Sequence, residues 1–448
     1  MRTNGDAPRR EKPCRATGPA SFVLPTPACV EPLTSTNLPE TRTPRRSGPR
    51  PSYGRVKDRY WLHLLLFFLT LLSTILMGIQ LAARLPYYEQ SPVWFYISFG
   101  YGEPGLPVNA AALADGLLFS LSLLLFLTVH EFGHYFAARR HGIATSLPYF
   151  IPLPYVGVGT LGAVIRIREV IPSMRKLFDI GAAGPLAGFV VALGVLVFAF
   201  ATLPPPSYVL SFIGHEDLKF FVEQHGRFPE GLAAAPSDGT TLVVGNTLLY
   251  WLLSQLFANV PPMYEMYHYP VLFAGWLGLF FTALNLLPVG QLDGGHILYA
   301  LVGPRWHRRL ARAFFVMLLV SASIGFAEDF VPALYAWNDL AGDLSWFMLA
   351  ALLYFYLSKT FDGDYRIIAP VLFGIIGFVV AAQSVGPALT QFGYWGWFVW
   401  CTLIVFLIRI DHPPVTFPEP LTPRRKALAV LSMLIFILCF SFKPLYLV

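Results

Sequence analysis

Charged residues are scarce in this chain. Only 13% of its 448 residues are Asp, Glu, Lys or Arg, whereas 55% are hydrophobic. A soluble globular domain carries about 25% charged residues, so the composition excludes that class and indicates a multi-pass membrane protein. Cysteine is also scarce, because the chain has four, and they are scattered. Their spacing forms neither a disulfide framework nor a C-x-x-C metal site.

We expect neither a cleaved signal sequence nor an internal repeat. No short apolar run with a small-residue cleavage site follows the basic start, so we expect no cleaved secretory signal. No period of about 20 to 50 residues recurs along the chain. A solenoid and an inverted-repeat transporter therefore find no support.

Residues 1–59 differ from the rest of the chain. They contain 12 Lys and Arg against five Asp and Glu, many prolines and little hydrophobic periodicity. This composition predicts a disordered basic cytoplasmic tail. Because the local excess is larger than the net charge of +6 of the whole protein, the basic character gives no reason to expect a nucleic-acid partner.

Apolar runs follow the tail, and several approach the roughly 20 residues that cross a bilayer. They predict about nine transmembrane helices, near residues 60–82, 113–138, 180–202, 271–289, 311–331, 344–358, 367–388, 395–410 and 426–442. The segment 242–260 is ambiguous, because it fits either a tenth span or a helix lying on the membrane surface.

The distribution of Lys and Arg predicts the orientation in the membrane. If 242–260 does not cross, the tail holds 12 of them, the loops on the same side hold 16, and the opposite side holds 4. Cytoplasmic loops collect positive residues. We therefore expect a cytoplasmic N-terminus and no crossing at 242–260. The expected location is the inner membrane of a bacterial cell.

Ionisable residues interrupt the apolar helix predicted at 113–138. His130, Glu131 and His134 form the pattern H-E-x-x-H, although ionisable side chains at membrane depth cost roughly 2.5 to 3.5 kcal/mol each. On a helix the two histidines are one turn apart on one face, so both imidazoles can bind one zinc ion. Glu131 lies about 100° around the helix and can take a proton from a water beside the metal. The pattern predicts a zinc site with a general base.

Asp293 is the candidate third ligand, since catalytic zinc usually has three protein ligands and one open position. Pro288 should break the fourth predicted helix, and Gly290, Gly294 and Gly295 loosen the backbone around the aspartate. A carboxylate on such an unwound helix end can turn towards a metal. Both motifs also lie near the cytoplasmic ends of their helices.

Residues 146–170 lack a helical pattern. Their prolines and glycines, followed by β-branched residues, predict a β-hairpin. Non-helical backbone at membrane depth is tolerated where protein buries it or where it lines a wet cavity, so we expect the hairpin beside the metal. An exposed strand edge can pair with an unwound substrate, and we predict substrate contacts at Gly159, Gly162, Val164 and Ile165.

These features define the expected fold and its parts. The fold class is an all-α polytopic membrane protein of about nine transmembrane helices with a small membrane-associated β-hairpin. After the tail, residues 60–112 hold the first transmembrane helix and an external loop. Residues 113–312 form the core with the metal, and 313–448 form the C-terminal transmembrane helices.

Two motifs together resemble a known family. HEFGH, combined with N-x-x-P-x-x-x-L-D-G-G from Asn285 to Gly295, is similar to the site-2 protease family of intramembrane zinc metalloproteases. The stretch FDIGAAGPLAG and the glycine-rich hairpin extend the resemblance over roughly Leu113 to Leu301. The external loops leave no room for a PDZ domain, so the chain resembles a PDZ-less member.

The resemblance implies the chemistry and the partners. Zn²⁺ would be bound by His130, His134 and Asp293, with Glu131 as the catalytic base. Asn285 would hold the substrate backbone or the oxyanion, while a helix-packing role for it stays open. The implied activity is that of a metalloendopeptidase in the lipid bilayer, with single-pass membrane proteins as substrates in regulated intramembrane proteolysis.

Three other functions fit parts of the pattern. A zinc transporter would place ligands along several helices, whereas here they cluster in two motifs. A non-catalytic scaffold would leave Glu131 without a purpose, and a zincin with a glutamate as third ligand would need an E-x-x-x-D motif.

The remaining histidines are not expected to bind the metal. We expect a supporting or core role for His296, and solvated loop positions for His141, His215, His225, His268, His307 and His412. The sequence does not indicate an oligomeric state.

Overall fold

The computed structural model describes residues 59–89, 92–97, 105–154, 156–229 and 242–447. Of the predicted tail, only Arg59 lies within these ranges. The described residues form thirteen α-helices: α1 (Tyr60–Ala82), α2 (Pro86–Glu89), α3 (Ala110–Arg140), α4 (Met174–Ala201), α5 (Glu216–His225), α6 (Leu248–Ser254), α7 (Pro270–Asn285), α8 (Asp293–Trp337), α9 (Asp339–Thr360), α10 (Tyr365–Val385), α11 (Pro387–Thr390), α12 (Trp397–Leu403) and α13 (Pro423–Cys439).

Six of the described helices, α1, α3, α4, α8, α9 and α10, are long and apolar enough to cross a membrane. The protein thus has multi-pass membrane character, but nine spans are not confirmed. The other three predicted spans correspond to α7 with 16 residues, to α12 with its π-helical continuation Ile404–Ile408, and to α13 with 17 residues. Each is shorter than the roughly 20 residues that a bilayer requires.

Segment 242–260 contains no helix of membrane-spanning length. It begins with a three-residue strand, and α6 has seven residues, about 10 Å of helix. The prediction that this segment does not cross is compatible with these lengths.

Three two-stranded antiparallel sheets accompany the helices in the described part of the chain. The pairs are β1 (Phe95–Ile97) with β2 (Leu106–Val108), β3 (Tyr149–Pro152) with β4 (Thr160–Val164), and β5 (Leu242–Val244) with β6 (Leu445–Leu447). The β3–β4 pair confirms the predicted hairpin, with Tyr149 opposite Val164 and an irregularity before the Pro152–Thr160 pair. The sequence did not indicate the other two sheets.

Helix α3 lies at the centre of the core, packed against α1, α4 and α7. Ring stacking joins it to α7, with Phe126 and Phe281 centroids 6.4 Å apart. Lipid provides no hydrophobic force that drives helices together. Small residues at the helix interfaces allow the close approach on which packing depends. A Cβ on Gly278 of α7, for example, would lie 2.7 Å from the Ala192 Cβ of α4.

Candidate metal centre

Helix α3 carries the H-E-x-x-H motif in its C-terminal half. The Asn109 side chain caps the helix by accepting a hydrogen bond from the Ala112 N–H, and Arg139 and Arg140 lie at its negative C-terminal end. His130 and His134 are therefore one turn apart on one face, and both are buried. Helix α3, which the sequence predicted, thus positions both imidazoles.

Asp293 is the first residue of α8, directly after the break that follows α7. Helix α7 ends at Asn285, three residues before Pro288. The intervening turn folds tightly against the start of α8, because a Cβ on Gly294 would collide with the Leu286 carbonyl. The glycines of the LDGG motif thus allow the carboxylate to face α3.

The three candidate ligands meet at one point. Nε2 of His134 lies 3.1 Å from Nε2 of His130 and 3.1 Å from Oδ2 of Asp293. The distance from His130 Nε2 to the same carboxylate oxygen is 3.6 Å. Ligands about 2.0 Å from a tetrahedral zinc ion lie about 3.3 Å from one another, so the observed triangle fits zinc.

The hydrogen bonding of His134 is compatible with a metal ion inside this triangle. Its Nδ1–H donates to the Ile180 carbonyl at 2.8 Å, which leaves a lone pair on Nε2. That lone pair faces the Nε2 of His130 and a carboxylate oxygen. In the neutral ring, three electron-rich atoms at these distances are stabilised by a positive ion between them, and backbone anchoring of a metal-binding imidazole is the usual arrangement.

Glu131 lies beside the triangle but outside it. Its Oε1 is 4.0 Å from His130 Nε2, and the Ile165 N–H lies next to its carboxylate. The other oxygen, Oε2, is buried and has no hydrogen-bond partner among the described residues. A basic oxygen is therefore free for a proton next to the candidate metal position.

Glycines of α4 make room for the two imidazoles. A Cβ on Gly184 would collide with the His134 ring, and one on Gly188 would lie 3.1 Å from Nδ1 of His130. The preceding turn of α4 supplies the Ile180 carbonyl. The small residues of FDIGAAGPLAG thus belong to the site.

Asn285 is the last residue of α7 and is half-buried. Its side chain makes no hydrogen bond to another residue of the described ranges. The amide is therefore available to a ligand, and its assignment to the substrate stays a prediction.

The predicted substrate-binding residues occupy different parts of the hairpin. Gly159, with φ of +84°, packs on α1, where Ser73 Oγ donates to its carbonyl at 2.7 Å. Gly162 lies near Leu127 of α3, and Val164 is exposed in β4. Gly159 therefore anchors the hairpin, and its substrate contact stays a prediction.

Ile165 connects the hairpin to Glu131. The next residue, Arg166, accepts from the Ser146 N–H at 3.0 Å and donates to Ser146 Oγ at 3.0 Å. Successive residues of an extended chain direct their backbone groups to opposite sides. The Ile165 N–H accordingly points away from the paired strand, towards Glu131. This second edge of the strand runs past the metal centre.

Several histidines differ from the solvated loop positions expected for them. His307 is buried, and His412 lies 2.7 Å from Nδ1 of His296, three residues beyond Asp293. The D-H-P-P segment containing His412 folds back over the start of α8, where the Gly290 N–H donates to the Ile410 carbonyl. Contacts across more than a hundred residues have no local sequence signal. His215 and His268 are also packed inside, as described below.

The comparisons with known proteins agree with this geometry. The model of peptidase family M50 matches residues 118–327, which include all four motif residues and Asn285. Residues 118–327 form a peptidase family M50 domain. No solved structure matches the chain.

Curated relatives of this M50 domain occur in plants. The chain is 31% identical over 220 residues to "Probable zinc metalloprotease EGY2, chloroplastic" of Arabidopsis thaliana, covering 48% of this chain and 34% of that protein. It is 29% identical over 279 residues to "Probable zinc metalloprotease EGY1, chloroplastic" of Oryza sativa subsp. japonica, covering 58% and 42%. The chain thus spans less than half the length of these relatives.

Proposed function

We propose that this protein is a zinc metalloendopeptidase that hydrolyses transmembrane segments of single-pass membrane proteins. The observation that carries the proposal is the triangle of His130, His134 and Asp293, with 3.1 to 3.6 Å between ligand atoms and Glu131 beside it. The M50 domain and the names of the relatives support the same reaction class.

The metal ligands, Glu131 and Asn285 have different roles in the proposed reaction. Bound zinc would supply Lewis acidity, which polarises the scissile carbonyl and makes water a nucleophile near neutral pH. Glu131 takes the proton of the attacking water on its unpartnered Oε2 and returns it to the leaving amine. Asn285, with its free amide, orients the substrate backbone or the oxyanion.

Substrate presentation is assigned to the hairpin. A transmembrane helix hides its peptide bonds in its own hydrogen-bond ladder, so it must be unwound before cleavage, and the freed N–H and C=O groups need partners. The strand edge at Ile165 offers such partners next to Glu131, and pairing along it would place an extended substrate beside the metal.

The proposed orientation has a cytoplasmic N-terminus, supported by the surplus of Lys and Arg on that side. Cleavage would then release a cytoplasmic fragment of the substrate. A bacterial inner membrane stays a prediction, while the printed names of the relatives place those proteins in chloroplasts.

Comparative proteomics tests the proposed substrate class. Membranes from cells that express either the wild-type protein or the Glu131→Gln variant are compared in a strain that lacks the native gene. We expect transmembrane proteins to accumulate uncut only with the variant, because the substitution removes the general base. Equal fragment patterns in the two strains would contradict the proposal.

A further inference from the structure

Three titratable side chains meet at the end of α7 opposite to the metal centre. His215 precedes α5, while Glu265 and His268 lie just before α7. Helix α7 is 16 residues long, about 24 Å, so this external cluster is distinct from the M50 site. One ligand atom from each residue lies within 4.8 Å of the others.

The two imidazoles of the external cluster face each other through Nε2. Their Nε2 atoms are 3.0 Å apart. His268 Nδ1–H donates to the Ala82 carbonyl at 3.2 Å, and His215 Nδ1 lies 2.7 Å from Oε1 of Glu265. Each Nδ1 must carry a proton because its neighbour is an oxygen with lone pairs. In the neutral rings, both Nε2 atoms therefore present lone pairs to each other.

Burial makes this arrangement costly without a cation. Glu265 is fully buried, and neither of its carboxylate oxygens has a well-aligned hydrogen-bond partner among the described residues. A buried carboxylate against the His215 ring and two facing lone pairs beside it together favour a positive ion at this position.

The backbone holds His215 in an uncommon conformation to reach this position. Its φ of +63° lies in the left-handed region, which is unfavourable for a residue with a side chain. Strain of this kind persists where the surrounding structure imposes it. Its side chain is 13% exposed, which leaves a path from solvent to the cluster.

The external cluster repeats the pattern of the M50 centre. In both, two Nε2 atoms lie 3.0 to 3.1 Å apart, one Nδ1 is bound to a backbone carbonyl, and a buried carboxylate lies alongside. A carboxylate against the far nitrogen of a ligand histidine is a recurrent feature of zinc sites.

We propose that the external cluster is a second metal site, which binds Zn²⁺ through Nε2 of His215 and Nε2 of His268. Glu265 fixes the tautomer of His215 and supplies negative charge, and water completes the coordination. Imidazole nitrogens bind zinc, copper and nickel. Zinc is proposed because it has no electronic preference against a tetrahedral geometry. The ion would join the end of α1, the segment before α5 and the start of α7.

Zinc analysis of a protein without the M50 centre tests the site. The full chain with His130→Ala and His134→Ala is purified without a polyhistidine tag, loaded with Zn²⁺ and dialysed. We expect one zinc per chain, and none after the further change His268→Gln. The matched control is His225→Gln on α5, which should leave one zinc, because the exposed His225 ring stacks on Phe221 and bonds to its carbonyl, away from the cluster.

A second measurement needs no change in the external cluster. Zn²⁺ should raise the midpoint of thermal unfolding of the His130→Ala, His134→Ala protein, and EDTA should reverse the rise. This measurement tests the site even if the His268→Gln protein does not fold. The proposal would be overturned if the protein binds no zinc and its stability responds to pH alone. That result would indicate a proton on His215 in place of the metal. Because neither readout is cleavage, a failure of this proposal is distinguishable from a failure of the proposed protease function.

Discussion

At the scale of the residue, Gly184 determines how closely α4 can approach the metal-binding face of α3. No side chain fits at this position, because its Cβ would occupy the space of the His134 ring. The same helix also binds that ring through the Ile180 carbonyl. The metal centre therefore depends on a residue that has no functional group.

We expect Gly184→Ala to lower zinc occupancy and cleavage together. The added methyl group must displace the His134 imidazole, and such overpacking costs about 1–3 kcal/mol. Gly194→Ala is the matched control, because it lies on the same helix with no other atom within 4 Å of the added Cβ. Zinc analysis and thermal midpoints in detergent compare the two, and equal zinc contents would contradict the assigned role of Gly184.

Local sequence patterns predicted the M50 site better than its surroundings. His130, Glu131 and His134 are fixed by one helical turn, and Asp293 by a proline and glycines next to it. The prediction that His215 and His268 are solvated is wrong. Their packing depends on contacts between segments more than fifty residues apart, which the sequence does not show. Spacing along a helix is visible in a sequence, whereas a contact between loops is not.

At the scale of the element, the hairpin has one edge paired and one edge near Glu131. Its prolines and glycines made it predictable, since they exclude helix over 146–170. The β5–β6 pair was not predictable, because each strand has three residues and the partners are about two hundred positions apart. Three residues are too few for an alternating pattern to be recognised.

We expect Ile165→Pro to abolish cleavage of intact membrane substrates while zinc remains bound. Proline removes the backbone donor that faces Glu131 without adding a polar group. Val164→Pro should have the same effect by distorting β4. Val170→Pro is the control, since Val170 is 85% exposed and lies beyond the hairpin. Cleavage and zinc content are measured on the same samples, and unchanged cleavage by the Ile165 and Val164 variants would assign the hairpin to packing.

At the scale of the whole molecule, hydropathy predicts multi-pass membrane character but overestimates how many helices are long enough to span. The apolar runs predicted about nine helices, whereas six described helices have the length and hydropathy to cross. Runs such as 271–289 contain a break at Pro288, so the helix inside them is shorter than the apolar stretch. Helix ends depend on capping and tertiary contacts as well as on hydropathy.

The proposed topology predicts that Arg305 faces the cytoplasm and Glu223 the opposite side. Single cysteines at these exposed positions are labelled with a membrane-impermeant maleimide. Cys14 and Cys29 are replaced in the background chain, whereas Cys401 and Cys439 are buried and can stay. We expect labelling of Glu223→Cys in intact cells, and of Arg305→Cys only after the membrane is opened. Labelling of Arg305→Cys in intact cells would contradict a cytoplasmic N-terminus.

The most direct test of the account is a paired measurement of zinc content at the M50 centre and of cleavage of a purified transmembrane substrate. To isolate that centre, His268→Gln is present in every protein compared. Glu131→Gln should keep the zinc of its parent and lose cleavage by about 10²- to 10⁴-fold, because it removes only the general base. Asp293→Ala should lose both, because it removes a ligand of the triangle. Full cleavage by the Glu131→Gln protein, or unchanged zinc in the Asp293→Ala protein, would contradict the mechanism.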